Sequence, residues 1–217
     1  METLRFIMSN LPMIGERTLE HISIVSVAVG IAILVGVPTG IAITRSQRVA
    51  DTVLYLGSIV MTIPSIALFG VLIPLLSKMG QGIGYLPAVI AAMLYALLPI
   101  VRNTYTAIRN LDPALRSAAI GMGMSQSQRL LRVEIPMAMP VIIAGVRIAV
   151  VINIGVTAIA AYIGAGGLGT FITSGITLMD ERMLLSGALL VTLLALLTEW
   201  ILARLEIRVT PPGIGEA

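Results

Sequence analysis

The sequence has no cysteine, one histidine (His21), one tryptophan (Trp200) and one lysine (Lys78). Without cysteine there is no disulfide framework, no thiolate metal site and no cysteine nucleophile. A lone histidine supplies no metal-ligand set. Serines such as Ser65 and Ser174 have no base at a plausible spacing. Neither H-E-x-x-H nor a paired-carboxylate pattern occurs, so no catalytic constellation is present. Charge is also scarce, at 12% of 217 residues, against about 25% in an ordinary soluble domain.

What fills the chain is apolar. Hydrophobic residues make up 57% of it and the mean hydropathy is +1.00. Such a surface belongs in lipid. The net charge of +3 and pI near 9.7 do not signal nucleic acid, because the arginines are dispersed and no basic run interleaves with aromatics. Residues 1–20 hold Glu2, Arg5, Glu16, Arg17 and Glu20 around a short apolar patch, with no long signal-peptide core. They are expected to form an external tail, and the first long apolar run to stay as an anchor.

Reading from charge to charge predicts five spans of the ~20 residues a bilayer requires, at 22–44, 52–77, 86–108, 138–162 and 183–203. Glycines at 164–169 end the fourth as a non-helical segment. The membrane domain is thus 21–204, with a long loop over 109–135 and a C-terminal tail over 205–217. One side of this arrangement carries nine arginines (45, 48, 102, 109, 116, 129, 132, 204 and 208). The other carries four basic residues, Arg5, Arg17, Lys78 and Arg182. The N-terminus is therefore expected outside and the C-terminus in the cytoplasm.

The loop before the fourth span runs DPALRSAAIGMGMSQSQRLLRVEIP from Asp112 to Pro136. Asp112 predicts an N-cap and Pro113 a first helical residue. Gly121 and Gly123 break that helix, and a second short one starts near Ser125. An ordinary loop is shorter and more polar. Two readings stand: an amphipathic helix lying on lipid, or a docking element for a cytoplasmic partner.

Within that loop Ala118 and Ala119 are followed after three residues by Gly123, and after nine more by Val133, Ile135 and Pro136. This resembles the EAA motif of ABC importer permeases. TIPSIAL (62–68), LYALLPIVRNTYT (94–106) and IGAGGLG (163–169) are similar to that family's osmoprotectant branch, whose substrates are glycine betaine, choline and carnitine. The likeness covers about residues 20–205. It implies the all-α membrane fold of a type I ABC importer permease, like that of methionine permeases, in a bacterial inner membrane. It also implies that the loop couples to a cytoplasmic ABC ATPase dimer, where ATP and magnesium are bound. This chain would bind no cofactor itself. A second permease subunit (the same chain or a related one) and an external substrate-binding protein complete the set. Two positions depart from the motif: Ser117 stands where a glutamate is usual, and Ile120 where a basic residue is common. Pairing with a second permease that carries the standard loop would account for this.

Other signals weigh less. Gly164-x-Gly166-x-x-Gly169 matches a dinucleotide fingerprint but has no strand before it. With Gly167, it is read by resemblance as lying near an external gate. Gly36-x-x-x-Gly40 fits close helix packing. Pro64 and Pro99 are candidate hinges, since proline removes a backbone hydrogen bond. Arg147 and Glu199 lie within spans and are expected to pair. The charged residues 180–182 form a loop. With few aromatics, the chain is unsuited to caging a quaternary ammonium ion, and selectivity is assigned to the binding protein. The alternatives are an amino-acid (methionine-type) ABC importer permease and a secondary transporter. The second is disfavoured by the missing internal repeat.

Overall fold

Small residues at every fourth position determine how the longest helices meet. The computed structural model describes residues 2–209, all helical apart from turns. The helices are α1 (Glu2–Ser9), α2 (Leu11–Ile43), α3 (Gln47–Thr62), α4 (Ser65–Ser77), α5 (Tyr85–Arg109), α6 (Pro113–Gly121), α7 (Gln126–Arg129), α8 (Ile135–Ala160), α9 (Gly169–Leu178) and α10 (Glu181–Val209). On α2 the buried positions include Ala28, Ala32, Gly36 and Gly40, and on α5 Ala88, Ala92, Ala96, Ile100 and Thr104. Four-residue spacing places each set on one helix face. The two helices consequently lie backbone to backbone. A Cβ built on Gly40 would stand 2.6 Å from the Thr104 Cβ and 2.9 Å from the Val101 carbonyl oxygen. The Gly36/Gly40 pair thus packs inside one chain. A third stripe, Ala138, Ile142, Gly145 and Ala149 of α8, covers another side of α5.

Among the described residues, four helical stretches are long and apolar enough to cross a membrane: Leu11–Ile43, Tyr85–Arg109, Gln126–Ile163 and Glu181–Val209. The fifth predicted span, 52–77, is not one rod. It breaks at Ile63 and Pro64 into α3 and α4, bent by 97°. Pro64 has no N–H and Ile63 is extended (φ −71°, ψ 123°). The Ile63 carbonyl that loses its helical partner accepts the Tyr95 hydroxyl of α5. The bent pair packs at two levels of α5, with Ala50 beside Val101 and with Leu68 and Phe69 in the cluster around Ala88 and Ala92. Pro99, by contrast, sits inside an unbroken α5.

Three further expectations change. Of the expected tail over 1–20, residues 2–20 form α1 and the first turns of α2, and Phe6 meets Phe171 edge to face at 6.2 Å. Apolar Phe6, Ile7 and Ile14 alternate with the charges that suggested a tail, and they pack against Leu168 and Phe171. The glycine-rich segment runs into a helix, α9, that the sequence reading left unassigned. Finally, α10 extends to Val209, past the predicted end at 203, while residues 210–217 of the expected tail lie outside the described residues.

Crowding at Gly40 and open space at Gly30, where an added Cβ meets nothing within 4 Å, yield a paired prediction. Gly40→Val should cost about 1–3 kcal/mol by overpacking and lower the thermal unfolding midpoint in detergent. Gly30→Ala should leave that midpoint unchanged or raise it.

Candidate functional site

The segment between α5 and α8 is built by local capping. The Asp112 carboxylate accepts the Ala114 N–H at 2.8 Å and starts α6. The helix ends where Met124 donates back to the Ala119 carbonyl and Gly123 to that of Ile120, with Gly123 at φ +76°. This left-handed closure is what glycine permits. A capping box follows. The Ser125 N–H donates to Gln128 Oε1 at 2.9 Å, and the Gln128 N–H to Ser125 Oγ at 3.3 Å. The second helix is not a separate short one, as expected, but the foot of the long helix Gln126–Ile163. The ladder widens over Leu130–Glu134 into a π-turn. There Pro136, with no N–H, cannot return a bond to the preceding turn.

Two faces of α6 differ. Ser117, Ala118, Ile120 and Met122 are exposed, and the Ser117 hydroxyl donates to the Pro113 carbonyl at 3.0 Å. Ala119 is buried. Arg116 points inward, and Nη2 donates to the Ile108 carbonyl of α5 at 2.5 Å. Its Nε lies 3.2 Å from Glu134, a carboxylate that is 6% exposed and also meets Arg129 at 2.9 Å. Ile135 packs with Ile41, Ala107, Ile108, Ala138 and Ile142, while Val133 is half-buried and Pro136 exposed. Thus α6 is strapped to the ends of both α5 and α8.

At the opposite end the glycine-rich loop is clamped from α2. The Gly167 N–H donates to Glu20 Oε2 at 2.8 Å, and Arg17 holds the same carboxylate at 2.8 Å. The buried His21 donates from Nε2 to the Ile154 carbonyl at 3.1 Å. Gly84 donates to the Ile163 carbonyl at 2.8 Å. Gly164, Gly166 and Gly167 have φ of +76°, +80° and +76°. Gly169 passes so near α8 that an added Cβ would meet the Ala158 carbonyl.

Within the bundle, Arg147 Nε lies 3.0 Å from Glu199 and Nη1 lies 2.6 Å from Glu206. Sequence reading paired Arg147 with Glu199 alone. Glu206 was beyond the assigned span, although its seven-residue spacing from Glu199 places both on one face of α10. Glu134 and Arg116 were missed as well. The available signal was one acid between Arg129, Arg132 and a proline. Pro64, Pro99 and the glycine-rich loop do not converge on one cluster with the α6 segment; the glycine-rich loop lies at the opposite end, and the two prolines lie between.

A bundle of four apolar helices long enough to cross a membrane, a fifth bent pair, and α6 exposed on one face define the class, an integral membrane protein. The fold is similar to that of a chain of the MetNI methionine ABC transporter solved in inward facing conformations. The TM-score is 0.83 at 23% identity, over 94% of this chain and 99% of that one. Residues 29–211 match the family of binding-protein-dependent transport system inner membrane components, and the chain belongs to that family. It is 53% identical to the osmoprotectant import permease protein OsmW of Salmonella typhimurium, over 99% of this chain and 100% of that protein. It is 46% identical to the carnitine transport permease protein OpuCB of Listeria monocytogenes, over 93% and 90%. The chain is an inner-membrane transport component.

Glu20→Ala would leave the Gly167 N–H without its acceptor. Hydrogen exchange at residues 164–169 should then speed up by roughly tenfold, as expected for losing one charge-assisted bond. Exchange in α6 should not change, and an equal rise there would count against a local clamp.

Proposed function

We propose that this chain forms the translocation pathway of an ATP-driven importer for a small osmoprotectant. Glycine betaine, choline and carnitine define the substrate class, and an external binding protein delivers it. The similarity to the OsmW and OpuCB permeases supports this class over a methionine-type amino-acid substrate. A secondary transporter is the poorer reading, since membership in a binding-protein-dependent family calls for an external receptor. The arginine asymmetry supports an external N-terminus and a cytoplasmic C-terminus. On this topology α6, Arg45 and Arg109 are cytoplasmic, and the glycine-rich loop faces outward.

One observation carries the mechanism: α6 is exposed on one side and strapped to two membrane helices on the other. An ATPase dimer, which holds ATP and magnesium, presses on Ser117, Ala118, Ile120 and Met122. The Arg116–Glu134–Arg129 cluster passes the displacement to α5 and α8. Pro64, at the bend of the second span, and the clamp on Gly164–Gly169 are the places where the bundle gives. Gly123 and the Val133–Ile135–Pro136 run set the angle at which α6 meets α8. The chain carries no chemistry of its own. Ser117 in place of the usual glutamate supports pairing with a second, related permease.

Co-purification with an ATPase, followed by uptake into proteoliposomes with the cognate binding protein, tests this reading. Carnitine, choline or glycine betaine should accumulate on ATP addition and methionine should not. Uptake of methionine alone would overturn the substrate assignment. Glu134→Gln should uncouple the assembly, lowering uptake per ATP hydrolysed while the ATPase stays bound. Ser117→Glu should raise coupled ATPase activity or leave it unchanged, and a sharp loss would contradict the pairing idea.

A further inference from the structure

A cavity of about 250 Å³ lies between the C-terminal ends of α2 and α5 and the segment α6–α7. Thr44 and Arg45 line it from the turn after α2, Ile108 and Arg109 from α5, and Arg116 from α6. Gln126, Ser127, Arg129, Leu130 and Glu134 close the remaining side. Four guanidinium groups share this space with one carboxylate. Glu134 is already engaged by both Arg116 and Arg129. Arg45 and Arg109 have no ion-pair partner among the described residues. The nearby ends of α2 and α5 present backbone carbonyls, which favour cations but offset only a fraction of one charge each.

Four guanidinium groups against one carboxylate and two helix ends leave an excess of about two positive charges, around a volume several times that of a single polyatomic anion. Guanidinium forks match tetrahedral oxyanions through paired N–H donors. Ser127 and Gln126, which make no side-chain hydrogen bond among the described residues, supply neutral donors at the rim.

We propose that this cavity is a binding site for a phosphate group, held by Arg45, Arg109, Arg116 and Arg129. The group comes from an anionic phospholipid at the membrane surface or from free phosphate in solution. Bound there, it braces α6 against the ends of α2 and α5, in addition to the strap through Glu134. Only the cytoplasmic position depends on the topology proposed above. The binding itself does not depend on what the permease transports.

The test uses the intact transporter complex, comparing wild type with the Arg45→Gln/Arg109→Gln double variant. In one arm, labelled inorganic phosphate is counted by equilibrium dialysis in phosphatidylcholine nanodiscs. In the other, native mass spectrometry counts phosphatidylglycerol retained from nanodiscs that contain it. Sites on the ATPase are common to both proteins and cancel in the difference. The expected result is one anion fewer per copy of this chain in the variant, in one of the two arms. The arm that shows it identifies the source. Equal counts in both arms overturn the proposal. Should the double variant fail to assemble, Ser127→Asp keeps the arginines and fills the cavity with its own carboxylate. It must show the same loss of one anion, and unchanged binding would again overturn the site.

Discussion

Close approach of α2 and α8 to α5 is the constraint on which the remaining contacts rest. In lipid no hydrophobic force draws helices together, so packing and hydrogen bonds must do so. The alanine and glycine stripes let the backbones come near enough for short side chains to reach across. Once α5 is fixed, its polar groups organise the neighbours. Tyr95 caps the broken turn at Ile63, Arg102 donates to Ser58, and Tyr105 donates to Gln47. All three hold the bent pair α3–α4, which has few buried residues of its own. A break that would otherwise expose an unpaired carbonyl at membrane depth is satisfied by protein.

The last span is held on a different principle. Along α10 only Ser186 and Gly187 are buried, and open grooves flank it on the sides toward α2 and α8. Between its ends, Val191, Leu194 and Ala195 are only partly buried against the bundle, and the tighter attachments lie to either side. Near one end, Gly187 lies so close to α9 that an added Cβ would stand 2.8 Å from the Ile172 nitrogen. Toward the other, Arg147 bridges to Glu199 and Glu206. Arg147 and both carboxylates are partly exposed, so the ion pairs give modest stability and chiefly set orientation.

Much of this was legible in the sequence where one residue type has one physical consequence. Charge spacing located the spans, and Asp112, Gly123 and Ser125 marked the breaks in the α6 segment to within a residue. The misses share a cause. Residues 2–20 looked like a tail because their charges were counted while the helical spacing of Phe6, Ile7 and Ile14 was not. Span 52–77 looked continuous because hydropathy does not register direction, and Pro64 reads the same whether it kinks or breaks a helix. Pro99, the same residue in a comparable apolar run, leaves α5 unbroken. The difference lies in what surrounds each proline, which is a tertiary fact. Glu134 and Glu206 were passed over for a related reason. An acid gains meaning only when the arginines that meet it, from 18 residues away (Arg116) or on another helix (Arg147), are in place.

The departures of the α6 segment from its family's motif fall on one side of the helix. Ser117 and Ile120 are both exposed, while Arg116 and Ala119 face the bundle. Both departures therefore lie on the surface that α6 leaves open to a partner. The buried Glu134 with both its arginines, beside that outer surface, fits the proposed reading of a segment pushed upon by a partner. On the proposed reading that partner meets two unlike permease loops, and this chain supplies the one that lacks the acid.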